Sequence, residues 1–317
     1  MGKTYRLSLA TLVLTLLQGC THINLGRVLR ENSPAPEAAP RLLAVYEPCF
    51  GHPRHIDVGY SSQDPVVIKK QIEQAKNLGI SGFVVDWYGD REPFLDRSFA
   101  LIWSIAAEQK FSVAMMYDET EHGGEQATDD ALAALEKLRR EYLAPGTPGR
   151  EAYLTFNGRP VIFIFPKGGH TDWNKVRAET NKWNPPPLFI YENIPGSHAT
   201  AFDGFYAWVN PGNKGWTADG SNWGGEYLHE FYRTMQTKYP DKIAVGAAWP
   251  GFDDRKASWG QGRYMSQRCG QTFADTMKLY REYYPAERPL PFLLIATWND
   301  YEEGTAIERG LAKCGTP

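Results

Sequence analysis

The sequence predicts an α/β fold, namely a (β/α)8 TIM barrel in a single domain with a small hairpin addition. Eight short, nearly continuous apolar runs recur along the chain, as expected of parallel strands that are covered on both faces. Helical patterns separate most of these runs, and the length beyond the N-terminal segment is typical of such a barrel. The alternative, an open doubly wound sheet, is disfavoured because no glycine-rich phosphate loop follows the first run.

The eight predicted strands are, in chain order, 42–46, 82–87, 112–117, 161–165, 188–191, 204–208, 243–247 and 292–297. Asp64 can cap a first helix, Pro65 suits its first position, and Gly79 can end it. Thr128, followed by Asp129, is expected to open another helix. Further helices are predicted at 94–109, 172–183, 225–238 and 272–284.

Two connections depart from the regular alternation. Asn157-Gly158 lies between residues 153–156 and the fourth strand, and this dipeptide predicts a tight antiparallel hairpin. The segment between the fifth and sixth strands, around 195–202, is too short for a full helix. We therefore expect eight barrel strands, about seven intervening segments and one small β addition.

The N-terminus carries an export signal. A basic start is followed by an apolar stretch, 7–17, which is too short to cross a bilayer because a spanning helix needs roughly 20 residues. Leu17-Gln18-Gly19-Cys20 resembles the lipobox of bacterial lipoproteins, which implies acylation of Cys20; an ordinary secretory signal is the alternative. We expect a signal peptide at 1–19, a tether at 20–40 and a catalytic domain at 41–317. Thr21 favours the outer membrane by resemblance to sorting signals, so the expected location is the cell envelope.

Composition narrows the range of partners. The formal net charge is -3 and no Lys/Arg cluster occurs, so a nucleic-acid partner is not expected. Aromatic residues make up 13% of the chain, which favours flat apolar surfaces for a ligand such as a sugar ring. With Cys20 lipidated, three cysteines remain and allow at most one disulfide. We expect a monomer without a cofactor and no metal site, because the two histidines of His52-Pro53-Arg54-His55 lack partners at a recognisable ligand spacing.

Candidate site residues follow from the barrel, whose active site lies where the strands end. The expected substrate-binding residues are acids and aromatic residues at these ends: Glu47, Asp86, Trp87, Tyr117, Asp118, Glu192, Tyr206, Trp208, Trp249, Asp253 and Asp254. Paired carboxylates and aromatic rings are what glycoside hydrolysis requires. For each acid a helix cap or surface charge is the alternative, and for each ring it is core packing. We expect at least two of Trp87, Trp208 and Trp249 to face the barrel mouth.

Several motifs recur in a characteristic order: Gly59-Tyr60-Ser61-Ser62-Gln63-Asp64-Pro65, Asp86-Trp87-Tyr88-Gly89, Gly158-Arg159-Pro160-Val161, Pro250-Gly251-Phe252-Asp253-Asp254 and the segment 298–308. Together they resemble glycoside hydrolase family 99. The similarity runs from about residue 42 to residue 308. It implies an endo-acting α-mannosidase or α-mannanase on a (β/α)8 barrel that needs no cofactor. It also implies that Tyr46, Trp87, Tyr117 and Tyr206 line sugar subsites.

The same resemblance implies a catalytic pair, Asp300 and Glu303. The family pattern Asn-Glu-x-x-Glu-Gly-Thr-x-Ile-Glu corresponds here to Asn299-Asp300-Tyr301-Glu302-Glu303-Gly304-Thr305-Ala306-Ile307-Glu308, with Asp300 in place of the first Glu. An Asp-x-x-Glu that follows Trp-Asn resembles family 71, the endo-α-1,3-glucanases. The alternatives to an α-mannan hydrolase are therefore an endo-α-1,3-glucanase and a non-catalytic glycan-binding or polysaccharide-assembly lipoprotein.

Strand geometry adds a condition to this pair. Along a strand, residues three apart point to opposite faces, so Asp300 and Glu303 converge only if the chain turns after about Asp300. We therefore expect Glu303, the general acid, on a loop over the barrel mouth, and Asp300 as the base. Glu302 is the first replacement candidate.

Overall fold

The computed structural model of the chain describes residues 25, 26, 28 and 40–314, and it contains the predicted barrel. The barrel strands are β1 Arg41–Tyr46, β2 Ile80–Trp87, β3 Ser112–Asp118, β5 Arg159–Phe165, β6 Leu188–Glu192, β7 Gly204–Tyr206, β8 Ile243–Ala248 and β11 Phe292–Ile295. All neighbours pair in parallel, with β1 between β11 and β2 and with β3 beside β5, so the eight strands close on themselves. The predicted fold class is confirmed.

Six α-helices of the described residues pack around the strands. They are α1 Pro65–Asn77, α2 Pro93–Glu108, α3 Gly124–Leu138, α4 Trp173–Thr180, α5 Gly225–Lys238 and α6 Gln271–Tyr283. Asp64 caps α1 as predicted, since its side chain accepts a hydrogen bond from the Val66 N–H at 2.8 Å. The start predicted for α3 is wrong: the helix begins at Gly124, and the buried Thr128 hydroxyl accepts the Asp172 N–H at 2.9 Å, just before α4.

The short additions also agree with the sequence. Strand β4, Thr155–Phe156, pairs antiparallel with β5, and both turn residues, Asn157 and Gly158, have positive φ as a tight hairpin requires. Only a single 3-10 turn, Ala199–Ala201, connects β6 to β7. A second small hairpin, β9 Phe252–Asp253 with β10 Tyr264–Met265, lies after β8 and was not predicted.

The last barrel strand ends two residues earlier than predicted. The Thr297 N–H donates to the Thr305 carbonyl at 3.0 Å and the Trp298 N–H donates to the Val45 carbonyl at 2.6 Å. The Ala296 N–H still donates to the Ala248 carbonyl of β8 at 2.9 Å, so from Thr297 onward the chain bonds to its own following loop and to β1 rather than to β8. The turn that carries the predicted catalytic pair begins where the chain leaves β8.

The N-terminal predictions fall mostly outside the described residues, which exclude the signal peptide and Cys20. Within the predicted tether, Leu25, Gly26 and Val28 are helical and buried, and Leu25 and Val28 pack against the barrel core. Cys269 and Cys314 form a disulfide, and Cys49 is free and buried. None of the helices formed by the described residues is long and apolar enough to cross a membrane.

Candidate active site

A cavity of about 560 Å³ opens at the mouth of the barrel, where the strands end. Its walls combine acids, aromatic rings and a few basic groups. The acids are Glu47, Asp86, Asp118, Glu121, Glu92, Asp300, Glu302 and Glu303; the aromatic rings include Tyr88, Phe165, Trp208 and Trp259; the basic groups are Arg54, His55 and Lys167. The structure thus brings six predicted residues into one cavity: Glu47, Asp86, Asp118, Trp208, Asp300 and Glu303.

The turn after β11 is held by the Asp300 side chain. Its Oδ1 accepts the backbone N–H groups of Glu302 and Glu303, at 2.9 and 2.8 Å. The Asp300 N–H in turn donates to the Thr297 hydroxyl at 2.8 Å. Asp300 and Glu303 therefore reach the same cavity because the chain folds back immediately after Asp300, as the alternation argument required.

Asn299 fixes this turn to the end of the first strand. Its Oδ1 accepts the Glu47 N–H at 2.8 Å, and its Nδ2 donates to the Glu47 carbonyl at 2.9 Å. The paired bonds join residues that are 252 positions apart in the chain. They hold Glu47 beside the two carboxyl groups that follow β11.

The surroundings of the two predicted catalytic carboxyl groups, Asp300 and Glu303, give them different pKa values. Burial, together with the Asp300 carboxylate, raises the pKa of Glu303 to about 8. Burial also raises the pKa of Asp300, but the Glu303 N–H bonded to it opposes this effect, so that the pKa reaches about 6. Near neutral pH, Glu303 therefore holds a proton while Asp300 is largely ionised, which is the division of roles that an acid and a base need.

Three further acids surround the pair at the bottom of the cavity. Burial and neighbouring carboxylates raise the pKa of both Glu47 and Asp86. Burial also raises the pKa of Asp118, although Lys167 opposes it through an ion pair at 2.9 Å. Glu192, predicted to bind substrate, lies beside this cavity rather than in its wall; burial and Asp118 raise its pKa to about 7.

Glu302 has a different role from its two neighbours. Its Oε2 lies 2.7 Å from His55 Nδ1, and its Oε1 accepts the Ile56 N–H at 3.2 Å. The carboxylate thereby ties the loop after β1 to the turn after β11. Cys49, His55 and Glu302 also offer metal-ligand atoms within 4.8 Å of one another, a proximity that the spacing of His52 and His55 did not reveal.

Trp87 and Trp249 do not line the cavity, which corrects the sequence expectation. The Trp87 indole N–H donates to Asp96 of α2 at 3.1 Å, because alternation along β2 points Asp86 to the mouth and its neighbour to the helices. The Trp249 indole is fully buried and donates to the Trp223 carbonyl at 3.1 Å. Of the three tryptophans, only Trp208 faces the cavity, against Phe165.

The three predicted tyrosines also lie outside the cavity wall. The Tyr46 hydroxyl donates to Gln71 of α1 at 2.7 Å, and the Tyr117 ring packs against Trp173 of α4. Both point to the helical layer rather than to the mouth. Tyr206 lies inside the barrel, where its hydroxyl donates to the Ile164 carbonyl at 3.1 Å. Their expected substrate contacts are therefore corrected to packing roles.

Asp253 and Asp254 stabilise a loop instead of lining the cavity. Asp253 forms an ion pair with Arg255 at 2.7 Å. Asp254 is fully buried, and one of its carboxylate oxygens accepts the Arg263 Nε–H at 2.6 Å. Arg263 also lies 3.9 Å from Glu303, and the Asp253 N–H donates to the Glu303 carbonyl at 2.7 Å, so both residues join this loop to the predicted acid.

Sequence reasoning missed several residues of the cavity. Lys167 follows β5 by two positions, so reading the fourth strand end as closely as the others could have found it. Trp259 lies far from any barrel strand, and no local signal in the sequence marks it.

The fold has solved counterparts among glycoside hydrolases. The family 99 endo-α-mannosidase of Bacteroides thetaiotaomicron, in complex with bis-tris-propane, superposes with a TM-score of 0.64 at 20% identity, over 84% of this chain and 86% of that chain. A second structure of that enzyme gives 0.64 at 19% identity, over 84% and 87%. A glycoside hydrolase-like protein gives 0.59 at 14% identity, over 90% and 92%. The chain has a family 99-like barrel. No family model matches the chain, and no curated protein matches it in sequence.

Proposed function

We propose that this protein is a glycoside hydrolase that cleaves an α-linked glycan internally, with α-mannan as the first candidate. The observation that carries the proposal is the pair of carboxyl groups on one turn, with a pKa of about 6 for Asp300 and about 8 for Glu303. Glycosidic bond cleavage requires a carboxylic acid whose pKa is raised, so that it keeps its proton, beside a carboxylate that is ionised and acts as the base. The barrel likeness to family 99 supports the same reaction class.

In the proposed reaction, Glu303 donates its proton to the glycosidic oxygen while the bond from that oxygen to the anomeric carbon breaks. Asp300 accepts a proton from the attacking group. By the family 99 resemblance, that group is the sugar's own 2-hydroxyl, whose oxygen bonds to the anomeric carbon and closes a three-membered ring. Water then attacks the anomeric carbon and opens this small ring, so the anomeric configuration is retained. By the family 71 resemblance, the group is water and the outcome is inversion. Each route consumes one water per bond cleaved.

The identity of residue 300 favours a second candidate, an endo-α-1,3-glucanase. Aspartate is one methylene shorter than the glutamate of the family 99 pattern, and here one of its oxygens holds the turn. Products formed from a panel of α-mannans and α-glucans by the protein, with the core residues Leu25 and Val28 retained, would separate the candidates. We expect oligosaccharides from one of the two. Failure to cleave any panel member, with binding retained, would favour the non-catalytic glycan-binding alternative.

The activity is expected to have a bell-shaped pH dependence. Turnover should fall below about pH 6, where Asp300 gains a proton, and above about pH 8, where Glu303 loses its own. Arg263 lowers the pKa of Glu303, so Arg263→Gln should move the alkaline limb to higher pH, whereas Arg263→Lys should leave it nearly in place. Measured kcat/KM against pH tests this, because that ratio reports the pKa values of the acid and base in the free protein. An alkaline limb that is the same in all three proteins would contradict Glu303 as the acid.

We also propose that the protein is anchored in the cell envelope through lipid on Cys20, with the outer membrane as the expected location. Cys20→Ala should abolish acylation, so the variant should leave the membrane fraction or remain unprocessed. Fractionation of cells and the mass of the mature N-terminus measure both outcomes, with Cys49→Ala as the matched cysteine control. Membrane association that persists in Cys20→Ala would overturn the anchor.

A further inference from the structure

We propose that the loop 254–263 forms an outer sugar-binding subsite, with the Trp259 indole as its platform; this inference rests on the proposed glycan substrate. Among the described residues, the exposed large apolar side chains are Val66 and Trp259. Trp259 is 48% exposed, yet it lines the same cavity as Asp300 and Glu303. A half-exposed indole that contributes little to a core is suited to the apolar face of a sugar ring.

The loop that carries Trp259 is held rigidly by a buried acid. One oxygen of Asp254 accepts the Arg263 N–H at 2.7 Å, and the other accepts the Gln261 N–H at 3.1 Å and the Arg263 Nε–H at 2.6 Å. The Asp254 carbonyl accepts the Ala257 N–H at 3.0 Å. A buried carboxylate with this many donors fixes both ends of the loop, so the indole is presented without a large ordering cost on binding.

Close packing inside the loop 254–263 also helps to fix its conformation. A Cβ atom added at Gly260 would lie 1.8 Å from the Asp254 carbonyl oxygen, so only glycine fits next to Trp259. On its other side, the Trp259 ring meets the His55 ring edge-on, with centroids 6.0 Å apart. The indole is thus supported from both the loop after β1 and the loop after β9.

The position of the indole identifies the sugar it would bind. Asp300 and Glu303 are partly buried in the cavity wall, with 20% of the Glu303 side chain exposed, whereas Trp259 is 48% exposed at the rim of the same cavity. A ring stacked on Trp259 therefore belongs to a sugar beyond the pair joined by the cleaved bond. Arg263 belongs to the same loop and lies 3.9 Å from Glu303, so platform and acid are held by one element.

The test measures binding in a Glu303→Gln background, in which no hydrolysis is needed. The probes are two ladders, from disaccharide to hexasaccharide, of α-mannan and of α-glucan. Trp259→Ala should weaken binding of the longer members of the recognised ladder about tenfold and leave the disaccharide within about twofold, since the stacked sugar is absent from the disaccharide. Trp259→Phe should retain most of the affinity, and Val66→Ala, the matched exposed control, should retain all of it.

Three outcomes would overturn the subsite. They are equal losses for short and long members, no loss for any member, and no binding of either ladder by the Glu303→Gln protein. The proposed hydrolytic function is judged separately, by cleavage of the same ladders by the native protein. If the native protein cleaves the ladders while Trp259→Ala binds them normally, the proposed subsite is wrong and the proposed hydrolytic function still stands.

Discussion

Glu303→Gln and Asp300→Asn are each expected to lower kcat by about a thousandfold on a glycan that the native protein cleaves. General acid and base groups typically contribute between about a hundredfold and ten-thousandfold. Glutamine cannot give a proton to the leaving oxygen, and asparagine cannot take one from the attacking group. The measurements are kcat and thermal unfolding of each variant. The domain should stay folded, because the asparagine Oδ1 can still accept the two backbone N–H groups of the turn.

Neighbouring acids supply the controls for this pair. Asp253→Asn alters an acid that is paired with Arg255 outside the cavity wall, so turnover should remain within a few fold of the native value. Glu302→Gln removes the charge that faces His55 and should act through the loop rather than through the reacting atoms. If both Glu303→Gln and Asp300→Asn kept near-normal rates, the assignment of the pair would be wrong.

Trp87→Ala is expected to lower the free energy of unfolding by about 3–5 kcal/mol, the usual cost of removing a large buried ring. The indole is fully buried between β2 and α2, where it packs 5.5 Å from Phe99 and bonds to Asp96. The folded fraction of the Trp87→Ala protein should bind glycan normally, because the Trp87 ring does not reach the cavity. Denaturant unfolding and glycan affinity measure the two effects.

Trp208→Ala is the matched comparison. This ring lines the cavity but is also part of the core, with 9% exposure, so its loss should weaken both glycan binding and the fold, whereas Trp87→Ala should weaken the fold alone. The reverse pattern, with Trp87→Ala losing affinity at native stability, would mean that the indole turns toward the mouth.

Much of the barrel was predictable from local pattern. The apolar continuity of each strand reflects burial on both faces, and the Asp64-Pro65 pair starts α1 through contacts only two residues long. The strand ends also identified Asp86 and Asp118, because in this fold the ends of parallel strands meet at one mouth, whereas Asp300 was identified through the family resemblance. Each of these features is determined by residues that lie within a few positions of one another in the sequence.

The tertiary structure decided which side chain at each strand end reaches the mouth. Asp86 and Trp87 are adjacent, yet one lines the cavity and the other bonds to α2, and only the register of β2 in the closed barrel selects between them. It also decided the partners of Glu302, since His55 lies 247 positions away, and the location of Trp259 at the rim. Such contacts join residues that the local sequence does not relate, because burial and hydrogen bonding depend on which elements the closed barrel brings together.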